Sequence, residues 1–529
     1  MWIGITQRTL GIAVLALTLD AGSGTQPAGL ATIATKDAKA WVEELSSPWF
    51  EGRDSPSATQ DLAAAWIARK LESFGLATIP GGEGFLHPFQ RTVRAPDPDN
   101  CRLELGNAPP AVGTTAEKFE LAVDFVPVPS AEGEASGPLV FAGFGIAVPG
   151  YDELKGLPLK GAIALIFEGE PRHPKTLEGA ELSPAANLYR KLSALAALGA
   201  AGAIVVRRDP PGDPPRPEGF PPITPLGFRF TWASWQGERP EITGPSPVPA
   251  VEVSLAAAER LAGVALGPVV EDLDKRGRPK RFELPAGVDG TPRTVRIGAK
   301  EVERAVAHPN VIGVVPGRDP ERANEWLVLG AHLDHLGVDP RTRVGMGADD
   351  NASGSAAALL VARALMEAKP RRPVLVCFFS AEEDGLLGAG AMLDAPVVPI
   401  ESMAFMLNLD MIGRGPKDSV VVLGVQEYTP FDRVLQRARR LGTTGIKTVE
   451  TRGGQELWER SDHFQFFKRG VPVLFFFEDV PITKNRDYHT WRDTPDQVDA
   501  EKVARGARLA FNTLWLIGED DDLPTRPGR

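Results

Sequence analysis

Leu327 to Gly354 reads LVLGAHLDHLGVDPRTRVGMGADDNASG. A short apolar run leads into His332, Asp334 and His335. Fourteen residues after His335 come two adjacent carboxylates, Asp349 and Asp350, in a turn rich in glycine and alanine that opens a helix. Alternate residues of an extended strand point the same way, so His332 and Asp334 share a side. A metal-ligating histidine commonly gives its second ring N–H to a carboxylate, and Asp334 is spaced for that role. Alone, the stretch also fits a solvated loop with satisfied polar groups. Its chemistry depends on what the rest of the chain supplies.

Outward from this stretch, strands and helices alternate from Asn310 onward. WLVLGAHLDH is followed by a helix at SGSAAALLVARALMEA, then PVLVCFFSAEE, AFMLNLDMIG, the helix PFDRVLQRARRLG, VPVLFFFED and the helix AEKVARGARLAFNTLWLI. Continuous apolar strands between helices predict an α/β fold, a mostly parallel sheet covered on both faces. Polar groups gather where these strands end. Glu382 and Glu383 follow PVLVCFFS, Asp410 follows AFMLNL, and Tyr488 and His489 lie in a loop beyond VPVLFFFED. In open α/β sheets, sites form outside the carboxyl ends of strands, where these residues can converge.

The set His332, Asp350, Glu383, Asp410 and His489 offers nitrogen and oxygen donors without a thiolate. Borderline divalent ions, zinc first, suit such donors. Five ligands exceed the three that a single catalytic zinc usually takes, and they suffice for two ions if one carboxylate bridges. Two metals ~3.5–4 Å apart can clamp and activate a water. Of the adjacent Glu382 and Glu383, one can bind metal while the other accepts a proton. Taken singly, each carboxylate fits a surface or capping position; five such groups, acids and histidines together, at strand ends point to a site.

The chain has 529 residues, 43% hydrophobic and 24% charged, which is long for one domain and ordinary for globular protein. A formal charge of −11 gives no reason to expect nucleic acid or an anionic membrane as partner. Its two cysteines, Cys101 and Cys377, provide no disulfide framework, and Cys377 reads as a core residue. Residues 1–24, with Arg8 and an apolar run from Leu10 to Leu19, fit a secretory signal peptide with Gly24 as one candidate end. No membrane anchor is expected. Residues 25–40 read as a linker. A helix follows, with Leu62, Trp66, Leu71 and Phe74 expected close to one face and Gly75 as its stop. From about 120, glycine-bounded strands in PLVFAGFGI, GAIALIFEG and AIVVRR, with the helix NLYRKLSALAALGAAG, describe a small β-rich unit. Residues 209–249, Pro-rich with Trp232 and Trp235, form a long irregular excursion.

The motifs AHLDHLG, GADDNASG, FSAEEDGLLGA, NLDMIGR, YHTWRDTPD and SDHFQFFKRGVPVL together resemble the secreted dizinc exopeptidases of metallopeptidase family twenty-eight. The resemblance covers roughly 40–90 and 300–515. Residues 120–290 are similar, more weakly, to a protease-associated domain. The implied organisation is a signal peptide (1–24), a peptidase segment (25–119), the inserted domain (120–290), a catalytic segment (291–518) and a tail (519–529). The implied roles follow. Asp350 bridges two Zn²⁺; His332 and Asp410 complete one site; Glu383 and His489 complete the other. Glu382 is general base and later acid, and Asp334 orients His332. Asp349 and His335 receive no firm role. The expected activity is removal of N-terminal residues from peptide substrates by a secreted or periplasmic aminopeptidase. A carboxypeptidase or a single-metal glutaminyl cyclase of the same fold, and a non-catalytic receptor-like protein, stand as alternatives. Oligomeric state is left open.

Overall fold

The structure, a computed structural model, describes residues 27–106, 116–121, 123–177, 183–208, 246–287, 290–338, 344–428 and 430–522. The expected signal peptide, Trp232 and Trp235 with most of the Pro-rich excursion, and the end of the acidic tail lie outside the described residues.

The sequence from Asn310 onward builds most of an eight-stranded sheet. In spatial order it runs Leu86–Pro96, Glu301–Val315, Val374–Phe379, Trp326–His332, Met403–Leu409, Val473–Phe477, Ser419–Leu423 and Thr448–Glu450. The four central strands, from Val374–Phe379 to Val473–Phe477, are parallel. Antiparallel pairings flank them on both sides. Every residue of Val374–Phe379 is buried. Val374, Val376 and Phe378 face one core, and Leu375, Cys377 and Phe379 face the other. Period-two alternation between two covered faces explains why these strands read as unbroken apolar runs. Helices Gly354–Ala368 and Ala500–Glu519 pack together on one face. Leu387–Asp394 and His463–Lys468 lie on the other.

A second eight-stranded mixed sheet runs Glu117–Lys118, Arg102–Gly106, Thr294–Ala299, Gly133–Phe141, Ile163–Phe167, Gly202–Val206, Ala250–Val253 and Phe125–Pro127. It has its own apolar core with the helix Leu255–Ala262. This sheet is wider than 120–290, because Arg102–Gly106 and Thr294–Ala299 pair within it. The two sheets are joined through a long antiparallel pair in which Leu86 opposes Val311 and Pro96 opposes Glu301.

Two expectations need correction. Within the stretch expected as a linker, 25–40, the described residues 27–40 are packed: Leu30 and Ile33 are buried, and a helix begins at Thr35 and runs to Leu45. On the helix Ala58–Ser73, Ala63, Ala64, Ile67 and Leu71 face inward, while Leu62 is 57% exposed. At 3.6 residues per turn, Leu62 and Leu71 fall on opposite sides, so apolar character alone misassigned the face. Cys101 and Cys377 are both free and buried in separate apolar cores, Cys377 within its apolar strand as the sequence reads.

Candidate metal centre

Three neighbouring parallel strands aim their carboxyl ends at one place. His332 ends Trp326–His332, Glu382 and Glu383 follow Val374–Phe379, and Asp410 follows Met403–Leu409. Asp350 enters from the turn 348–353 that starts the helix Gly354–Ala368. Gly347 makes this turn possible: its φ is +57°, and a Cβ there would lie 2.3 Å from Asp350 O and 2.4 Å from the His335 ring. Asn351 ties the turn to the next strand, donating to Leu409 O at 3.0 Å and accepting from Met411 N at 3.1 Å.

His332 Nε2 lies 3.3 Å from Asp350 Oδ1 and 3.2 Å from Asp410 Oδ1. His489 Nε2 lies 3.2 Å from Asp350 Oδ2 and 3.1 Å from Glu383 Oε2. The five candidate ligands therefore converge around Asp350: His332, Asp350 and Asp410 form one triad, and Asp350 and Glu383 form a second with His489, although the most compact second group closes on His335. His335 also reaches the second triad: its Nδ1 is hydrogen-bonded to Glu383 Oε1 at 2.9 Å and lies 3.8 Å from Asp350 Oδ2. Asp334 is buried beside His332, its Oδ1 3.7 Å from His332 Nδ1, beyond hydrogen-bond reach. Its carboxylate accepts instead from the backbone N–H of Glu382 at 3.2 Å and of Glu383 at 3.3 Å, and so holds the glutamate loop.

The donor set fits a divalent cation. Among the described residues no lysine or arginine is paired with Asp350, Glu383 or Asp410; histidines are their only ion-pair partners. His489 Nε2 faces two carboxylate oxygens without the alignment of a hydrogen bond. Burial disfavours the His332 imidazolium, yet Glu382 and Asp410 hold its pKa well above the usual histidine value. Burial likewise works against His489, and Glu383 and Asp350 lift it to about 10. Crowded carboxylates that pull protons onto adjacent imidazoles are what bound cations would relieve. Burial, reinforced by Glu383 and Asp410, pushes the Glu382 carboxyl well above the ordinary glutamate range against the pull of His332.

Several contributors were not anticipated. Asp493 accepts from Asp349 N at 2.9 Å and from Asp350 N at 3.0 Å, which fixes the turn. Asp349 turns away from the metal side, its Oδ1 accepting from Gly413 N at 2.8 Å. Arg414 and Arg492 both pair with Asp487, Arg492 from five residues away in sequence and Arg414 brought there by the fold. Arg460 reaches the pocket beside the triads, which is otherwise lined by Met411, Leu457, Phe475, Phe477, Ile482 and Tyr488. It immediately precedes the motif SDHFQF, two residues before Asp462, and that adjacency was the available signal.

The family model for peptidase family M28 matches residues 310–514. A probable leucine aminopeptidase of Arthroderma otae is 27% identical over 227 residues, 41% of this chain and 60% of that protein. A probable zinc metalloprotease of Leptosphaeria maculans is 25% identical over 265 residues, 43% of this chain and 61% of that protein. The matches thus span about three fifths of these relatives' length. The structure of BSAP, a zinc aminopeptidase from Bacillus subtilis, has a TM-score of 0.52 and 19% identity, over 94% of this chain and 97% of that one. This likeness concerns the fold alone. The parallel strands with acids and histidines at their carboxyl ends, and the match over the same segment, lead to one assignment: residues 310–514 form a domain of peptidase family M28.

Proposed function

We propose that this chain is a zinc metallo-aminopeptidase with a two-ion centre, acting on peptides with unblocked N-termini outside the cytoplasm. The observation that carries the reading is the shared carboxylate of Asp350, which faces His332 with one oxygen and His489 with the other. His332, Asp350 and Asp410 would hold one ion, and Asp350, Glu383 and His489 the second. Zinc bound there supplies a Lewis acid that polarises a peptide carbonyl and makes water acidic enough to attack.

The chain's own residues supply the rest. Glu382 is 7% exposed and lines the pocket beside both triads. It takes the proton of the attacking water and returns it to the leaving amine. Asp334 and Asp493 hold the loops on which Glu382 and Asp350 sit. The apolar wall formed by Met411, Leu457, Phe475 and Phe477 receives a substrate side chain. The names of the aminopeptidase and zinc protease relatives support the reaction class.

Arg460 favours a second reading. A guanidinium beside the triads suits a carboxylate, which a carboxypeptidase must recognise. One experiment separates the two. A single peptide is offered in free, N-acetylated and C-amidated forms, and products are read by mass spectrometry with zinc measured in the same preparation. The aminopeptidase reading expects trimming of the free and amidated forms and little of the acetylated one. Trimming of the acetylated form from its C-terminus, blocked by amidation, supports the second reading.

A further inference from the structure

The turn Glu51–Gly52–Arg53 lies far upstream of residues 310–514, yet it is built into the metal centre. We propose that Arg53 is a positioning residue for the metals: its guanidinium keeps the loops of His332 and Asp350 in register, so zinc affinity depends on a residue outside the family segment. The proposal rests on the metal reading above.

Three consecutive residues here are left-handed, with φ of 43° at Glu51, 73° at Gly52 and 53° at Arg53. A Cβ on Gly52 would meet Gly345 O at 2.3 Å and Gly337 O at 2.7 Å, so the turn is wedged between two loops. One loop continues from His332 and the other leads to Asp350. Arg53 spans both. Nε donates to Leu333 O at 2.8 Å, the residue after His332. Nη1 donates to Met346 O at 2.9 Å, and Nη2 to Gly347 O at 2.8 Å, three residues before Asp350. Nη1 also donates to Leu45 O, anchoring the clamp to the first helix. The backbone adds His335 N to Arg53 O at 3.3 Å and Gly337 N to Gly52 O at 3.2 Å.

The charge matters as well as the hydrogen bonds. Arg53 is 1% exposed, and among the described residues no carboxylate lies within ion-pair distance of it. A buried cation without a contact partner is costly unless the surrounding field favours it. The acids acting on it are Asp493, Asp334, Asp350 and Glu383, which are the acids of the metal centre and its supports. The guanidinium thus offsets part of the carboxylate repulsion while aiming the backbone. Lysine can supply the charge but not the planar fork that reaches four separate carbonyls.

The test uses the full chain with zinc alone as probe. R53K and R53M are compared with R372M, which removes a buried arginine remote from the site that donates to Ile517 O and Gly518 O. Zinc retention is read by dialysis against graded chelator, and thermal midpoints are read on metal-free protein. Both R53 variants are expected to give up zinc about 10–100-fold more readily, the range typical of partners one step behind the ligands. R53K, resupplied with saturating zinc, recovers turnover. R372M loses stability yet holds zinc as wild type does. Three results overturn the proposal: unchanged zinc retention in R53K and R53M, zinc loss in R372M equal to that in R53M, or R53 variants that fail to fold in excess zinc while R372M folds. A wild-type chain that binds no zinc overturns the metal reading itself, and this proposal with it.

Discussion

Asp350 Oδ1 lies 3.3 Å from His332 Nε2, while the other oxygen of the same carboxylate turns to a second histidine and a second acid. One residue therefore belongs to two ligand groups. Asp350→Ala is expected to strip the centre of zinc rather than halve it, as elemental analysis of purified variant beside wild type will read. A variant that keeps half or more of the wild-type zinc would mean that Asp350 serves one ion only.

Among the described residues Glu382 makes no ion pair with His332, His335 or His489, and burial pushes its carboxyl well above the ordinary glutamate range. Glu382→Gln is expected to keep zinc and to lose turnover by ~10²–10⁴-fold, the usual worth of general acid–base catalysis. Loss of zinc in this variant would reverse the roles assigned to the two adjacent glutamates.

Two histidines compete for the second ligand group. His489 Nε2 is nearly equidistant from Asp350 and Glu383, at 3.2 and 3.1 Å. His335 is closer to Glu383, at 2.9 Å, but that contact is a formed hydrogen bond, and Asp350 is 3.8 Å away. A nitrogen balanced between two carboxylates is placed to ligate, and one already bonded to a single carboxylate is placed to orient it. His489→Ala should therefore release one of two zinc equivalents, whereas His335→Ala should retain both and bind them more weakly. Equilibrium dialysis distinguishes them, and the opposite pattern would exchange their roles.

The core of the fold was legible because its strands are buried on both faces: Val374–Phe379 leaves no polar residue to obscure the pattern. Four of the five candidate ligands were legible because His332 ends such a strand, Glu383 and Asp410 follow one, and Asp350 opens a helix, whereas His489 lies in a loop twelve residues past Phe477. His332, Asp350 and Asp410 can be placed from local pattern alone. Arg53 was not legible. Its role comes from carbonyls about 280 residues away in sequence, and backbone acceptors have no residue type to read. Asp493 was hidden for the same reason, since it serves the N–H groups of Asp349 and Asp350. Leu62 misled because composition was read without the helical angle.

Glu153, in the second sheet's domain, offers a pH-dependent test of stability. Burial raises its carboxyl from 4.5 to about 7, opposed by N–H donors from Ile146 and Phe144. Between those two values the folded state holds more protons than the unfolded one, so stability falls as pH rises from about 4.5 to about 7 and the loss is complete above that. Glu153→Gln removes the titration. Thermal midpoints of the full chain across this window should decline in wild type with a slope that the variant lacks; parallel curves would remove Glu153 as the source.

Arg460 decides how the pocket reads its substrate. Its guanidinium donates to Tyr488 Oη at 3.0 Å and lies 5.6 Å from that ring's centre. Tyr488 in turn stacks on His489, with ring centroids 3.8 Å apart. The cation is thus anchored to a ligand's neighbour, and among the described residues it has no ion pair of its own. A charge-assisted hydrogen bond to a substrate carboxylate is worth about 1.5–3 kcal/mol, roughly 10–150-fold in kcat/KM. If Arg460 reads the C-terminal carboxylate, Arg460→Met should lower kcat/KM by that factor for a free-acid dipeptide and leave its C-terminal amide untouched. If the chain instead reads the free amine, as the aminopeptidase proposal holds, the substitution changes acid and amide alike, and any loss is the smaller one of a loosened Tyr488. The aminopeptidase proposal expects the second result, with the acid-to-amide ratio of the variant equal to that of wild type. A ratio that collapses toward one only in the variant would transfer the recognition to Arg460 and reverse the direction of cleavage.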